Sequence, residues 1–397
     1  MVLGPGGSGV SVVAAAAALR GDVGLPAGVR VGADRGTVLM SLGSRSHLPE
    51  RLGVLRLPGD PVPVTGQTDL LQLDPLAVVE TAWGEFTAAL TAVVGGKAPL
   101  PLVGTLTSVA PGELTVLPGA QEFLLLRQIR EAATAGRWER VVVDLSGVGD
   151  PFELLRAPKV LSAALERLWP RHTRLAEAAE KPAVAQLSAA VEGIDRDCQD
   201  LIELFADPHG VAVHLVVDAG DRGRRALPDF VAVADLMGLP LRSVLVNAGI
   251  GDGADDALAQ ARALMREDPA VAVAPVPREA AVDRLARIRR IDVELPRPTG
   301  RPRGSQALTV AHVSGEGLDS VFELSWIQGL PDPDRLELGR SGDDLLVTVS
   351  GFRYPVRLPS VLRRCVVVSA QWRDGALVLR FRPDPAVWPV RPDTGGA

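Results

Sequence analysis

The sequence predicts an α/β fold followed by an all-β one: a doubly wound parallel sheet of the phosphate-loop type with helical insertions, then a smaller sandwich. Three observations lead there. Apolar runs ending on polar residues alternate with segments of helical period across residues 1–295, as in a parallel sheet covered on both faces. A glycine cluster, GPGGSGVS from Gly4 to Ser11, joins the first apolar run to the first helical one. Beyond residue 306 the period changes to two, with turn residues between short β-branched runs.

Met1–Leu3 is a short first strand, short enough to leave open whether the native start lies upstream of this Met. The Ala-rich run Ser11–Arg20 is the first helix. GVRVGADR, Gly28–Arg35, reads as the next strand and carries Asp34 at its end. Leu76–Val94 and Gln121–Ala135 place apolar residues at helical spacing, the former closed by two glycines. RVVVDLSGVGDP, Arg140–Pro151, opens on a continuous apolar run that ends on Asp144, the pattern of a strand buried on both faces. Phe152–Phe205 is helical, with breaks near Pro170 and Pro182. Val211–Asp218, Ser243–Gly249 and Val271–Pro277 are three more buried strands with helices between and after them. Pro296–Gln306 carries no core residue and reads as a linker, which leaves 307–390 to the sandwich as a unit expected to fold alone. Asp343-Asp344 and Asp374-Gly375 mark hairpin turns, and Trp326, Trp372 and Phe381 are expected in its core.

Hydrophobic residues make up 47% of the 397 and charged ones 23%, so a large core can be buried. A net charge of −6 argues against a nucleic-acid binder held by phosphate contacts. Lysine occurs only at Lys97, Lys159 and Lys181, so positive charge is nearly all arginine. Cys198 and Cys365 stand apart, with no C-x-x-C and no Cys/His cluster, so no zinc is expected. No run approaches ~20 apolar residues, so no transmembrane segment is expected. Without a signal-peptide pattern the expected location is cytoplasmic.

The glycine loop fits G-x-x-x-x-G-K-[ST] at Gly4, Gly9, Val10 and Ser11, with valine where lysine belongs. Gly4, Gly6, Gly7, Ser8 and Gly9 keep the backbone donors that hold phosphates, and Ser11 keeps the hydroxyl that would bind Mg²⁺. A missing charge pair at about 4 Å and an effective dielectric of about 20 amounts to about 4 kcal/mol. Asp34, Asp144 and Asn247 each end an apolar run, where open α/β sheets bind ligands. A lone aspartate there is ordinarily a helix cap. Three polar ends beside a glycine loop point instead to a nucleotide site.

In this order the motifs resemble those of the anion-transporting ATPases, the family of the arsenite-pump ATPase ArsA and the guided-entry ATPases for tail-anchored membrane proteins. The family loop G-K-G-G-V-G-K-T is similar to GPGGSGVS. Its first switch, D-P-A-H-S, is matched at Asp34–Val38 by Asp34 alone. Its second, D-T-A-P-T-G-H, is matched by DLSGVGD through Asp144 and Gly149, and VLVNAG puts Asn247 on the adenine-contacting asparagine. Leu154–Pro170 is similar to the helix after the second switch, and the C-terminal block to the α-crystallin (small heat-shock) domain of bacterial members.

The resemblance implies Mg-ATP as cofactor, Asp34 as the water-activating carboxylate, and Ser11 as the Mg²⁺ ligand. Gly4, Gly6, Gly7, Ser8, Gly9, Val10, Ser11, Asp144, Gly149 and Asn247 would surround the nucleotide. It also implies a homodimer, or a heterodimer with an intact paralogue, and a protein client. Leu76–Val94 and Phe152–Phe205 correspond to the client-groove region, but their Ala- and Leu-rich pattern without Met enrichment favours ordinary core helices. Pro5 and Val10 replace both family lysines and the dimer-bridging C-x-x-C is missing, so a degenerate ATPase site is expected. An active ATPase, with Arg35, Arg45 or a partner's arginine replacing lysine, is the alternative. A chaperone-like client-binding module without nucleotide is the second.

Overall fold

The computed structural model describes residues 1–20, 36–43, 45–94, 109–110, 119–180, 182–266, 268–279, 281–300, 308–327, 336–373 and 376–389. The larger sheet is built from β1 (Val2–Leu3), β2 (Thr37–Leu42), β3 (Pro61–Pro63), β4 (Thr68–Leu73), β5 (Arg140–Asp144), β6 (Val213–Asp218), β7 (Leu241–Asn247) and β8 (Ala272–Val276). Their spatial order is β3-β4-β2-β5-β1-β6-β7-β8, and among the described residues only β3 runs antiparallel to its neighbour. Parallel neighbours need crossovers, and helices supply them. In chain order the helices described are α1 (Val10–Leu19), α2 (Leu48–Leu52), α3 (Pro75–Val94), α4 (Ala120–Thr134), α5 (Pro151–Leu168), α6 (Arg171–Glu180), α7 (Pro182–Ala206), α8 (Asp221–Leu236), α9 (Ala254–Leu264) and α10 (Leu285–Ile288), the last of which follows the final strand of the sheet.

Alternation along the strands divides the core in two. Val2, Leu39, Leu70, Val142, Val216 and Leu245 face one cluster, formed with α1, α2 and α10. Leu3, Val38, Met40, Val143, Leu215 and Val217 face the other, formed with α4, α5, α7, α8 and α9. Helix α1 is buried along its length, and its run Ala14–Ala18 brings its backbone close to the sheet because no side chain there exceeds a methyl. From β1 the chain crosses to β2 and β4, returns to β5, and leaves on the other side through β6. The strand order therefore reverses about β1, the position where open α/β sheets bind ligands.

Most elements lie within two residues of their expected bounds, as at Arg140–Asp144. The expected strand Gly28–Arg35, with Asp34, lies outside the described residues. The strand observed next to β5 is β2, which begins downstream of Asp34. Neither β2 nor β4 was expected, because TVLMSL and TDLLQL carry a polar residue among apolar ones. Both polar residues, Ser41 and Gln72, are nevertheless buried.

The C-terminal region forms a two-sheet sandwich. Its strands are β9 (Thr309–Ser314), β10 (Val321–Ile327), β11 (Leu336–Ser341), β12 (Asp344–Val349), β13 (Phe352–Arg357), β14 (Cys365–Arg373) and β15 (Ala376–Pro383). The sheets are ordered β14-β15-β10-β9 and β11-β12-β13, all antiparallel. Phe381 and Trp326 are buried in the core, while Trp372 is partly buried against it. The turn between β11 and β12 falls at Gly342 and Asp343; Asp374-Gly375 lies outside the described residues. Ser350 and Gly351 both have positive φ, 49° and 85°, as a two-residue hairpin between right-twisted strands requires.

The sandwich shares an apolar cluster with the α/β region. Phe352 packs on Phe152 of α5 with ring centroids 6.0 Å apart, and the Lys159 ammonium lies 4.0 Å from the Tyr354 ring centroid. Arg156 donates to the Arg353 carbonyl. Of the expected linker, 301–306 lies outside the described residues, while Gly300 N–H donates to Pro208 O at 2.9 Å. No helix among the described residues is long and apolar enough to cross a membrane.

Candidate functional site

All parallel strands end on one edge of the sheet, and the glycine loop lies there between β1 and α1. Gly4 leaves β1 so close to β6 that a Cβ would lie 2.0 Å from Val216 O. Ser8 N–H donates to Pro5 O at 3.1 Å and closes the turn. Gly7 and Gly9 have φ of +79° and +90°, the left-handed backbone that lets the chain reverse directly into α1. Gly6 is exposed, Val10 is buried beneath the loop, and Ser11 lies in the first turn of α1.

Asn247, at the end of β7, is buried and holds this loop. Its Nδ2 donates to Ser8 O at 2.9 Å, and its Oδ1 accepts from Gly249 N–H at 3.0 Å. A Cβ on Gly9 would lie 2.3 Å from that Nδ2, so glycine is the residue that fits. Asn247 also lines a cavity of about 450 Å³ that runs along α1, together with Gly7, Gly9, Val10 and Ser11.

On the other side of β1, Asp144 ends β5 and is 1% exposed. Its Oδ1 accepts from Ser146 N–H at 3.0 Å, and the nearby Ser146 and Ser11 hydroxyls favour its charged form. Burial nevertheless dominates and pushes its pKa above the ordinary carboxylate value. The Ser11 and Ser146 hydroxyls are 2.7 Å apart, so Ser11 faces the loop after β5. Gly149, φ +78°, turns that loop into Asp150, whose side chain caps α5 by accepting from Phe152 N–H at 2.8 Å.

The strand between β4 and β5 reaches the same edge at Gly43. There φ is +102°, and a Cβ would lie 2.8 Å from Gly147 O; one on Gly147 would lie 1.6 Å from Leu42 O. The two loops therefore pack backbone to backbone. The residues leaving β2 are Gly43, Ser44, Arg45, Ser46 and His47, with no carboxylate among them.

Two cationic features were not expected. Arg222, in the first turn of α8, is clamped by Asp218 through Nε at 3.1 Å and Nη2 at 3.0 Å. Its remaining Nη1 lies 3.0 Å from where a Gly7 Cβ would be. The signal for this pair is the Asp-x-x-x-Arg spacing across a strand end and a helix start. Arg51 of α2 lines the cavity along α1 as well as a smaller one beside Ser11. Its place depends on the course of β2, which the apolar pattern did not disclose.

A large, mostly parallel sheet with a glycine loop at its reversal point defines an α/β protein of the phosphate-loop type, here with a C-terminal sandwich. Residues 329–381 match the HSP20-like domain found in ArsA. The chain is 32% identical to the Mycobacterium tuberculosis protein Rv2184c, over 98% of this chain and 97% of that one. It is 33% identical to SCO2128 of Streptomyces coelicolor, over 98% of each. A Chlorobaculum tepidum protein named "Putative arsenical pump-driving ATPase" is 22% identical over 62% of this chain and 59% of its own length. The chain belongs to the ArsA family, as a member with a C-terminal HSP20-like domain.

Proposed function

We propose that this protein is an ArsA-like nucleotide-binding subunit whose ATPase site is degenerate, acting as a homodimer or beside an intact paralogue. The observation that carries the reading is the glycine loop itself. Its left-handed glycines and the Asn247 clamp preserve a phosphate-binding backbone beside a cavity of about 450 Å³, although valine fills the lysine position. Gly4, Gly6, Gly7, Ser8, Gly9 and Ser11 would hold phosphates through backbone donors and one hydroxyl. Asp144 and Gly149 would shape the wall beyond Ser11, and Asn247 would wall the cavity from the opposite side.

Two losses favour binding over hydrolysis. Val10 removes the charge that the family lysine puts on the phosphates. Asp34, expected to position water, precedes in sequence the strand β2 that reaches the ligand edge beside β5 and ends at Leu42. At that edge Gly43 carries no side chain, and its φ of +102° leaves one no unstrained place.

The test is ATP binding by calorimetry together with phosphate release on protein freed of contaminating ATPases. Saturable binding with turnover below about 10⁻³ s⁻¹, the range of an NTPase without its full catalytic set, is the expected result. Faster turnover from the purified chain supports the active-ATPase alternative. Client capture with no nucleotide binding supports the chaperone-like alternative. Sedimentation with and without nucleotide tests the pairing.

A further inference from the structure

The segments leaving β2 and β5 enclose a second cavity beside the glycine loop, of about 300 Å³. Ser11, Ser146 and Gly147 form one wall, and Arg45, His47 and Arg51 form the other. Arg51 and Ser11 also line the larger cavity along α1, so one guanidinium faces both spaces. The side chains of Arg45, His47 and Arg51 make no ion pair or hydrogen bond among the described residues. Arg56, by contrast, donates to Glu50 at 2.8 Å. Among the described residues no carboxylate lines the smaller cavity.

The family implies magnesium at this place, and the residues present do not suit it. Mg²⁺ takes hard oxygen donors in octahedral array and is ordinarily anchored by a carboxylate. The Ser11 hydroxyl is 2.7 Å from that of Ser146, and Asp144 is 1% exposed behind them. No group of three or more His, Cys, Asp or Glu that could hold a metal occurs among the described residues. Two arginines facing the cavity would repel a divalent cation and attract an anion.

We propose that Arg45 and Arg51 bind the terminal phosphates of the nucleotide in this cavity without a divalent cation. Their guanidiniums supply the charge that lysine and metal supply elsewhere in the family, and the inference rests on the nucleotide reading above. Guanidinium suits the role because its planar donor fork matches phosphate oxygens. His47 stands beside them as a further donor.

Calorimetry of the full chain with ATP, and separately with inorganic pyrophosphate, in Mg²⁺ and in EDTA tests this. ATP affinity should be unchanged within about threefold by EDTA. Arg51→Gln should weaken both ligands about tenfold or more, as loss of one charge-assisted contact does, and Arg51→Lys should recover part of the loss. Circular-dichroism melts establish that each variant is folded. ATP binding abolished by EDTA and indifferent to Arg51→Gln overturns the arginine site and leaves nucleotide binding standing. Pyrophosphate binding sensitive to Arg51→Gln, with no ATP binding, keeps the anion site and removes the nucleotide reading. Absence of binding to either ligand in both buffers overturns both.

Discussion

At the loop edge of the α/β sheet, polar groups are tied to one another: Asn247 to Ser8 O, Asp144 to Ser146, Asp218 to Arg222. The sandwich instead meets α5 through rings and stems, with Phe352 on Phe152 and Lys159 over Tyr354. Helix α5 belongs to both regions. It is capped by Asp150, directly after the loop that holds Ser146 and Gly149, and it carries Phe152 and Lys159 to the sandwich. The difference concerns where sequence information is spent. At the loop edge, geometry depends on glycine backbones and a few directed hydrogen bonds, so changes there should act on ligand binding. In the sandwich it depends on filled volume, so changes should act on stability.

The largest expected effect breaks the sandwich. Phe381 is wholly buried, and Phe381→Ala should cost about 3–5 kcal/mol by emptying its place in the core. Chemical denaturation should show that loss with ATP affinity little altered. A fall in affinity as large as the fall in stability would mean that the two regions do not divide in this way.

Gly9→Ala should do the reverse. At φ +90°, with a Cβ directed at Asn247 Nδ2, alanine strains the loop and displaces its clamp. The stability loss should be about 1–2 kcal/mol. ATP affinity, measured by calorimetry, should fall by about tenfold or more, since in the proposed function the loop's N–H groups would hold the phosphates.

The smallest effect sharpens the comparison. Burial raises the Asp144 pKa above its ordinary value of 3.8, so the folded state binds that proton more readily than the unfolded chain. Its stabilising contribution is full below the unfolded value and lost as pH rises through the raised one, leaving a buried charge as a cost at neutral pH. Asp144→Asn keeps an acceptor for Ser146 N–H and removes the charge. The variant should melt about 2 °C above the parent at pH 7, and the gap should close as pH falls towards 4. A gap that is constant with pH would place the effect outside this titration.

The sequence by itself determined the layered architecture and the position of the glycine loop. Apolar period separates strands buried on both faces, such as Arg140–Asp144, from helices such as α5, and from the alternating strands of the sandwich. Gly4, Gly7 and Gly9 were legible because only a tight turn between strand and helix calls for them so densely. The sequence did not disclose which strand lies beside β5, because Ser41 and Gln72 interrupt the apolar runs of β2 and β4, and only the assembled sheet shows them buried. With that register unknown, neither Gly43 at the ligand edge nor Arg51 beside Ser11 could be placed. Asn247 illustrates the same division. Its position at a strand end is local, but its hydrogen bond to Ser8 joins residues 239 apart in the chain. Local pattern fixes periodicity and turns; convergence of distant side chains on one cavity follows from strand order, which tertiary packing decides.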